Sequence, residues 1–257
     1  MTEGVRQRGL EQLGAHFEEL SALLSERSGM PDPEGVVAFA ARSTPHAEHC
    51  GLTLTRGSSR PMTLAATGAL VEEVDRIQYK TGEGPCLEAV HGHDLTRAQD
   101  LATDQQWPRF GARCVAETGV RTMFSVRLCL SGEDRAALNF YAHQPGVLDD
   151  LDVGTGAILA PFAALAVQAA LREREVGQLQ TALQSSRQIG IAVGVLMGRR
   201  MVTADRAFDL LVAASQNLNR KLRDVAAEVG ETGVLPARPT DGPSPQRRAR
   251  AADGRPG

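Results

Sequence analysis

The fold is decided by residues 158–186, ILAPFAALAVQAALREREVGQLQTALQSS, where apolar side chains follow Ile158 in alternating steps of four and three. Only Arg172 breaks this series before Ser186. Heptad spacing of this kind is typical of helices that associate side by side. We therefore expect a coiled-coil linker helix over about 155–197 that forms a homodimer, the alternative being an amphipathic helix packed on its own domain. The residues predicted to line the dimer are Phe162, Leu165, Val176, Leu179 and Leu183.

Two shorter helices are predicted after this long one. Thr203 is placed to cap the first, and Asn217 or Asn219 to cap the second, which Gly230 would end. Three helices of this size bury little apolar surface, so we expect the long helix and a partner copy to contribute. The residues predicted to form the core of this module are Ile189, Ala192, Gly194, Met197, Ala207, Phe208, Leu211, Leu222, Val225 and Ala226.

Gly190 and Gly194 fall inside the predicted long helix. Glycine in a helix interior costs about 1 kcal/mol relative to alanine. We therefore expect another element, a helix rather than a ligand, to approach the backbone closely at these two positions.

Residues upstream of the long helix alternate with the period of strands. Residues 50–54 and 62–66 form one predicted hairpin, and 122–130 and 136–142 form a second. Helical spacing interrupts them at 70–77 and a short helix is expected after Pro85. The order β-β-α-β-α-β-β-α with short loops predicts an α+β fold, an antiparallel sheet flanked by helices.

Composition excludes several classes of protein. The longest strongly apolar stretch, 158–171, is too short and too rich in alanine for a bilayer span. The first residues carry charges where a signal peptide has an apolar core. We therefore expect a cytoplasmic protein with no membrane partner.

The cysteines and histidines favour neither a metal site nor a disulfide. Cys50, Cys86, Cys114 and Cys129 lie far apart without a CxxC pair, unlike zinc knuckles or disulfide frameworks. Residues 91–94, His-Gly-His-Asp, allow a metal site or a polar turn, and the polar turn is favoured because no other ligand group lies close in sequence. No metal and no cofactor are expected.

Catalysis has little support in the sequence. The loop 81–86, TGEGPC, has two glycines but lacks the lysine and hydroxyl of a phosphate-binding P-loop. Glu83, His93, Asp104 and Trp107 have no spacing that requires an acid/base site. The chain is therefore predicted not to be an enzyme.

Charge is distributed unevenly along the chain. The net charge is −3 overall, but residues 171–235 carry nine Lys/Arg and seven Asp/Glu, and 236–257 carry five Arg and two Asp. The first 170 residues are correspondingly acidic. A polyanionic partner is therefore expected at the C-terminal part. The stretch 236–257 has no periodicity and the composition of a disordered tail.

Residues 179–229 resemble the ANTAR domain, a three-helix RNA-binding antiterminator module of bacterial regulators. The matching features, in ordered spacing, are 182–183 with Arg187, Ile189 with 192–197, 207–211, 214–216 and 219–226. The resemblance implies that exposed cations bind RNA, which alone they would not establish, since charge runs usually face solvent. The residues expected to contact RNA are Arg187, Arg199, Arg200, Arg220, Lys221 and Arg223.

Residues from about 10 to 171 resemble a GAF domain of the kind fused to ANTAR in actinobacteria. The matching stretches are 75–79, 82–86, 100–101, 107–108, 119–121 and 137–141. The resemblance implies a sensor fold with a pocket on one face of the sheet, which takes an unidentified small-molecule or protein signal. The expected organisation is a flexible 1–9, a sensor over 10–171, an RNA-binding module over 172–235 and a tail over 236–257.

Together these features predict a transcription antitermination regulator that binds hairpin RNA through its C-terminal module under control of the sensor. The alternative is a ligand-binding signalling module whose helical end docks a protein or DNA. Stacking aromatics are scarce in the C-terminal module, where Phe208 is assigned to the core. Recognition is therefore expected to depend on phosphate contacts and on the shape of the hairpin loop.

Overall fold

The computed structural model describes residues 32–236. The flexible start expected over 1–9 and the part of the expected tail from 237 onward lie outside the described residues. The chain divides into two compact units, Met1–Arg174 and Glu175–Gly257. Each unit is described by itself below.

The first unit contains a five-stranded antiparallel sheet with the strand order β2-β1-β5-β4-β3. Its central strand β5 pairs with β1 on one side and β4 on the other. Both predicted hairpins are present. The single strand predicted between the two hairpins is also present, as β3, and it follows the short helix that begins at Pro85. The strands are β1 His49–Thr55, β2 Met62–Ala66, β3 Leu95–Ala98, β4 Thr122–Leu128 and β5 Arg135–Ala142.

Helices cover both faces of this sheet. The N-cap Asp32 accepts a hydrogen bond from the backbone N–H of Gly35 at 2.6 Å. Gly82 and Gly119 end two of the helices in the left-handed region, as their positions after helical stretches favour. The helices are α1 Pro33–Ser43, α2 Ala69–Thr81, α3 Pro85–His91, α4 Pro108–Thr118 and α5 Asp150–Arg200.

Strand β5 has apolar side chains on both faces because each face is covered. Leu138 and Phe140 point into a core shared with α1 and the first part of α5, whereas Tyr141 belongs to a second core with α2 and α4. The Phe124 and Phe140 rings stack at 4.5 Å between centroids. Gly156 of α5 lies on this ring pair, where a Cβ atom would stand 2.7 Å from Phe124.

The start of α5 is fixed by two carboxylates, those of Asp149 and Asp152. Asp149 accepts hydrogen bonds from the backbone N–H groups of Leu151 and Asp152 at 2.8 and 3.0 Å. The buried Asp152 side chain binds the His46 ring at 2.9 Å. This contact raises the pKa of His46, and the largest cause is the hydrogen bond that the protonated ring donates to the Asp152 carboxylate. The first turn of α5 is thereby tied to the loop between α1 and β1.

By length and composition, α5 is the one helix among the described residues that qualifies as a candidate membrane span. Core helices of soluble proteins pass the same test. In its first part Ala163, Ala166, Val167 and Leu171 are buried in the core of the sheet. One side of this part therefore contributes to the core, whereas Ile158 and Leu165 are exposed.

The second unit contains the end of α5, then α6, Ala204–Leu218, and α7, Leu222–Thr232. Thr203 caps α6 as predicted. The expectations for α7 are wrong at both ends. Asn219 instead ends α6 in the left-handed region, and Lys221 precedes α7. Gly230 lies inside α7 against Ile191, and Gly233 ends the helix.

The order of elements and the sheet topology confirm the predicted α+β class. An antiparallel sheet flanked by helices is followed by a long helix and two further helices. The long helix is extended by several residues at each end relative to the expected 155–197, because Asp149 caps it earlier and no glycine in the left-handed region stops it before Arg200.

Gly156 and Gly154 offer a matched test of the packing of α5. We expect Gly156→Ala to destabilise the protein by about 1–3 kcal/mol, because the added methyl group overpacks against the Phe124 ring. Gly154→Ala meets no atom within 4 Å and is expected to stabilise the helix by up to about 1 kcal/mol. Urea unfolding followed by circular dichroism measures both. Equal effects of the two substitutions would contradict the packing described here.

Candidate functional site

The core of the second unit is built from pairs of residues spaced by one helical turn. Ala192 and Leu196 of α5, Ala207 and Leu211 of α6, and Val225 and Val229 of α7 are fully or almost fully buried, together with Ala226. Ile189 and Leu222 are half-buried and pack against this core.

Three of the predicted core residues are not buried. Met197 and Phe208 are exposed by 38% and 42%, and Gly194 is also exposed. Leu196 takes the place expected for Met197. A step of one residue turns a side chain by about 100° around a helix, so neighbours of inward-facing residues face away from the core. Met197, Phe208 and Gly194 therefore do not belong to the core, contrary to the prediction.

The close approach expected at Gly190 and Gly194 is also absent from the described residues. A Cβ atom built on either glycine meets no atom within 4 Å. Gly198, one turn further on, is equally open. The backbone of α5 therefore presents an uncovered strip on this side within residues 32–236.

The cations expected to contact RNA differ in what surrounds them. Arg220 and Glu228 form an ion pair at 2.6 Å, and Arg223 lies 3.4 Å from Asp224. Within the described part of the chain, no ion pair is recorded for the exposed Arg187, Arg199, Arg200 and Lys221. Arg199 packs instead over Gly233 at the end of α7.

These cations form separate groups along the helices. Arg187 precedes Arg200 by 13 residues of α5, about 20 Å along the axis at 1.5 Å per residue. The α6 helix, about 22 Å long, separates Arg200 from Arg220. Arg187 and Arg200 are therefore two separate positive positions along α5. The chain offers cations at the turn before α6, at the turn after it, and along α5.

The turn between α5 and α6 carries exposed apolar side chains beside its cations. Met201 has φ +53° and is 88% exposed. Phe208, near the start of α6, is the last aromatic residue of the chain. Arg199 and Arg200 immediately precede Met201. Such a mixture of cations and exposed apolar groups is what unpaired nucleotides contact in RNA-binding proteins.

Most of the residues assigned to the dimer helix are exposed along α5. Leu165, Val176, Leu179 and Leu183 all show about half or more of their surface, Leu179 as much as 67%. Phe162 differs, because it is half-buried and packs against the sheet. Two further apolar residues nearer the start of α5, Leu151 and Ile158, are also exposed.

A network of polar side chains is buried between the sheet and α2 in the first unit, and sequence reasoning did not find it. Its centre is Asp75 of α2, which is completely buried. Its carboxylate accepts hydrogen bonds from the hydroxyls of Tyr141 at 2.7 Å, Thr63 at 2.8 Å and Tyr79 at 3.4 Å. The partners lie 4 to 66 residues away in sequence, so no local motif reveals the network.

Burial controls the acidity of Asp75. Removal from water raises its pKa to about 6, and hydrogen bonds from Tyr141, Thr63 and Tyr79 only partly oppose this. Burial also raises the pKa of the Cys86 thiol well above its ordinary value, with Asp75 as the next cause. Cys86 is therefore a protonated thiol of low reactivity.

The loop 82–86 has a structural role. Glu83 accepts hydrogen bonds from the backbone N–H groups of Arg109 and Phe110 at 2.9 and 3.2 Å, and so caps α4. Glu88 of α3 accepts a hydrogen bond from the Trp107 indole at 2.8 Å. These contacts hold the loop and α3 against α4, and they leave Glu83 engaged rather than free for proton transfer.

The two units thus form a sheet domain of sensor type and a small helical module with exposed cations, the arrangement of a regulator with separate input and output. Comparison with known families agrees: a GAF domain model matches residues 34–168, and an ANTAR domain model matches residues 177–229. The chain belongs to the GAF domain family and carries an ANTAR domain after it. No curated protein matches the chain.

Solved structures with similar chains include several from bacteria. The GAF domain of a phosphoenolpyruvate-protein phosphotransferase from Coxiella burnetii is 17% identical, with 65% of this chain and 96% of that chain covered and a TM-score of 0.47. An N-acylhomoserine lactone dependent LuxR family transcription factor from Burkholderia cenocepacia has 17% identity, coverages of 65% and 97%, and a TM-score of 0.45. A free methionine-R-sulfoxide reductase from Neisseria meningitidis has 14% identity, coverages of 59% and 88%, and a TM-score of 0.41.

The buried carboxylate predicts a pH-dependent stability. Asp75 holds a proton up to about pH 6 when folded but only up to about 3.8 when unfolded, so its ionisation lowers stability as the pH rises from 4 to 6. Asp75→Asn removes this effect. We expect the stability of the variant, relative to the wild type, to rise by on the order of 3 kcal/mol between pH 4 and 7.

Thermal unfolding at several pH values measures this difference. Asp209→Asn removes an exposed carboxylate of α6 and controls for the change in net charge. A difference between Asp75→Asn and wild type that stays constant with pH would contradict the burial argument.

Proposed function

We propose that this protein is a transcription antitermination regulator that binds hairpin RNA through its ANTAR domain, under control of the GAF domain. The observation that carries the proposal is the ANTAR match over residues 177–229. The exposed cations Arg187, Arg200 and Lys221, which have no ion pair within residues 32–236, supply positive charge for phosphates.

The proposed mechanism requires two copies of the chain. The exposed apolar series on α5 continues from Leu151 to Leu183 with heptad spacing, and a parallel homodimer would cover it. The uncovered glycines at 190, 194 and 198 allow a second helix to approach closely. A signal at the GAF domain then shifts the population of helix pairings and presents two RNA-binding modules together.

Recognition would combine electrostatic and apolar contacts. Arg199 and Arg200 attract the phosphate backbone at the turn before α6, and Lys221 does so at the turn after it. Phe208 offers an exposed ring on which an unpaired base can stack. Arg220 and Arg223 are also proposed to contact RNA. Each must first break its ion pair with a carboxylate before it can bind a phosphate.

The proposal places the protein in the cytoplasm, where nascent transcripts are made, and in the regulator class known from actinobacteria. It requires no cofactor, no metal, no membrane and no catalytic residue. The second candidate function is a signalling module whose helical end docks a protein or DNA. The exposed Met201 and Phe208 are compatible with such a docking surface, but the ANTAR match favours RNA.

A gel shift with a hairpin RNA and a duplex DNA of equal length discriminates between these functions. We expect the full-length protein to bind the hairpin more tightly than the duplex. The affinity should fall as the salt concentration rises, because binding releases the counterions that had condensed on the RNA phosphates. Equal or tighter binding of the duplex would favour the second candidate. Binding of neither nucleic acid would contradict the proposed function.

The two types of cation predict different salt dependence. Arg200→Ala with Lys221→Ala removes two cations without carboxylate partners, and we expect the magnitude of the salt slope to fall by about 1.4, or about 0.7 per phosphate contact. Arg220→Ala with Arg223→Ala removes the same charge, and a smaller fall is expected because both are already paired. Filter binding across salt concentrations measures both, and a larger effect of the second pair would reverse this ranking.

The apolar series on α5 predicts the oligomeric state. Leu179→Asp with Leu183→Asp places charges in the heptad stripe, and we expect monomers in analytical ultracentrifugation together with weaker RNA binding. Thr181→Asp with Gln184→Asp adds the same charges to exposed positions off the stripe and should leave the dimer intact. A wild-type protein that sediments as a monomer at tens of micromolar concentration would contradict the dimer.

A further inference from the structure

The last two residues of α5 are arginines with different surroundings. Arg199 and Arg200 are both exposed, and neighbouring side chains point about 100° apart around a helix. The Arg199 side chain reaches the end of α7, where a Cβ atom built on Gly233 would stand 2.7 Å from Nε and 2.8 Å from Nη2 of Arg199. The guanidinium of Arg199 therefore lies directly against the Cα atom of a glycine.

Gly233 is held in place by the contacts around it. It ends α7 with φ +72°, and its backbone N–H donates a hydrogen bond to the Val229 carbonyl at 2.8 Å. Two residues later, Leu235 packs against the core of the helical module. The position favours glycine for two reasons, because φ lies in the left-handed region and because a Cβ atom would take the place of the guanidinium.

The end of α7 is also an electrostatically favourable place for a guanidinium. The free carbonyl groups at the C-terminus of a helix carry partial negative charge, which favours a cation beside them. The last turn of α7 itself has no basic residue, so Arg199 of α5 supplies the cation. Steric fit and charge therefore hold the same side chain at the same place.

This packing leaves the donors of Arg199 available. Within the described part of the chain, its guanidinium N–H groups have no recorded hydrogen bond and no recorded ion pair. A guanidinium presents its N–H groups in a planar fork that matches two oxygens of a phosphate. A long side chain normally loses conformational freedom when it binds, which lowers the affinity. Arg199 has lost part of that freedom already in the free protein.

We propose that Gly233 positions Arg199 for contact with an RNA phosphate. The RNA-binding surface then extends past the ANTAR match, which ends at residue 229, to the end of α7. The inference rests on the proposed function and deepens it, because it names a residue that acts on RNA through another side chain. Gly233 is the positioning residue, and Arg199 is the residue that contacts the phosphate.

Gly233→Asn tests this contact with little damage to the fold. Asparagine adopts the left-handed region more readily than most residues with a side chain, but its Cβ atom displaces the flexible Arg199 side chain. Gly82→Asn is the matched control, because Gly82 ends α2 with φ +68° and a Cβ atom there meets no atom within 4 Å. We expect both variants to keep melting temperatures close to that of the wild type.

The first measurement is made on the full-length protein without RNA. The heteronuclear NOE of each arginine Nε–H group reports side-chain motion on the picosecond to nanosecond timescale. We expect a higher value for Arg199 than for Arg200, and we expect Gly233→Asn to lower the Arg199 value to that of Arg200. Gly82→Asn should change neither. Equal values for Arg199 and Arg200 in the wild type would overturn the proposal.

The second measurement is filter binding of the hairpin RNA across salt concentrations. Arg199→Ala removes a phosphate contact, so the magnitude of the salt slope should fall by about 0.7. Gly233→Asn keeps the charge, so the slope should stay nearly unchanged while the affinity falls about two- to tenfold through the loss of positioning. In the Arg199→Ala background, Gly233→Asn should cause no further loss, and Gly82→Asn should have no effect in either background.

A loss of affinity that Gly233→Asn causes equally with and without Arg199 would overturn the proposal, because it would show general damage to α7. The two measurements also separate this inference from the proposed function. RNA binding that is indifferent to Gly233→Asn contradicts only the role of Gly233. A rigid Arg199 in a protein that binds no hairpin RNA contradicts the proposed function while the contact between Arg199 and Gly233 stands.

Discussion

The structure depends on the contact between the first part of α5 and the sheet. Small side chains at Gly156, Ala163 and Ala166 let this helix approach the stacked Phe124 and Phe140 rings closely. A helix that buries one apolar side in this way and keeps leucines on another side is apolar over most of its circumference. That double use explains why the same residues resemble a membrane span, a core helix and a coiled coil.

The secondary structure and fold class could be predicted from the sequence because the relevant signals are local. Alternation in β1 and the residues typical of strands in β4 and β5 give the strands, and Thr203 and Asp149 provide caps next to the helices that they begin. The boundary between α6 and α7 was misjudged because Asn219 favours both a helix start and the left-handed end of a helix. The presence of an asparagine therefore does not show whether a helix begins or ends there.

The sites were harder to predict than the fold. Met197 and Phe208 each stand one residue from an inward-facing position, and a helical pattern with many apolar residues does not fix its own rotation to that accuracy. The ion pairs of Arg220 and Arg223 depend on side-chain reach across α7. The Asp75 network brings together Thr63 and Tyr141 from distant strands, so only the folded sheet reveals it.

The pairing of β1 with β5 also sets the order in which the chain can fold during synthesis. Residues 49–55 can form a hairpin with β2 as soon as both have left the ribosome, but their second neighbour is β5 at 135–142. The core on that face is closed only when the first part of α5 follows. The helical module is built from contacts that are short in sequence, and such modules fold quickly. We therefore expect the GAF domain to fold more slowly than the helical module. Until β5 is synthesised, the edge of β1 that pairs with it stays exposed to other nascent chains.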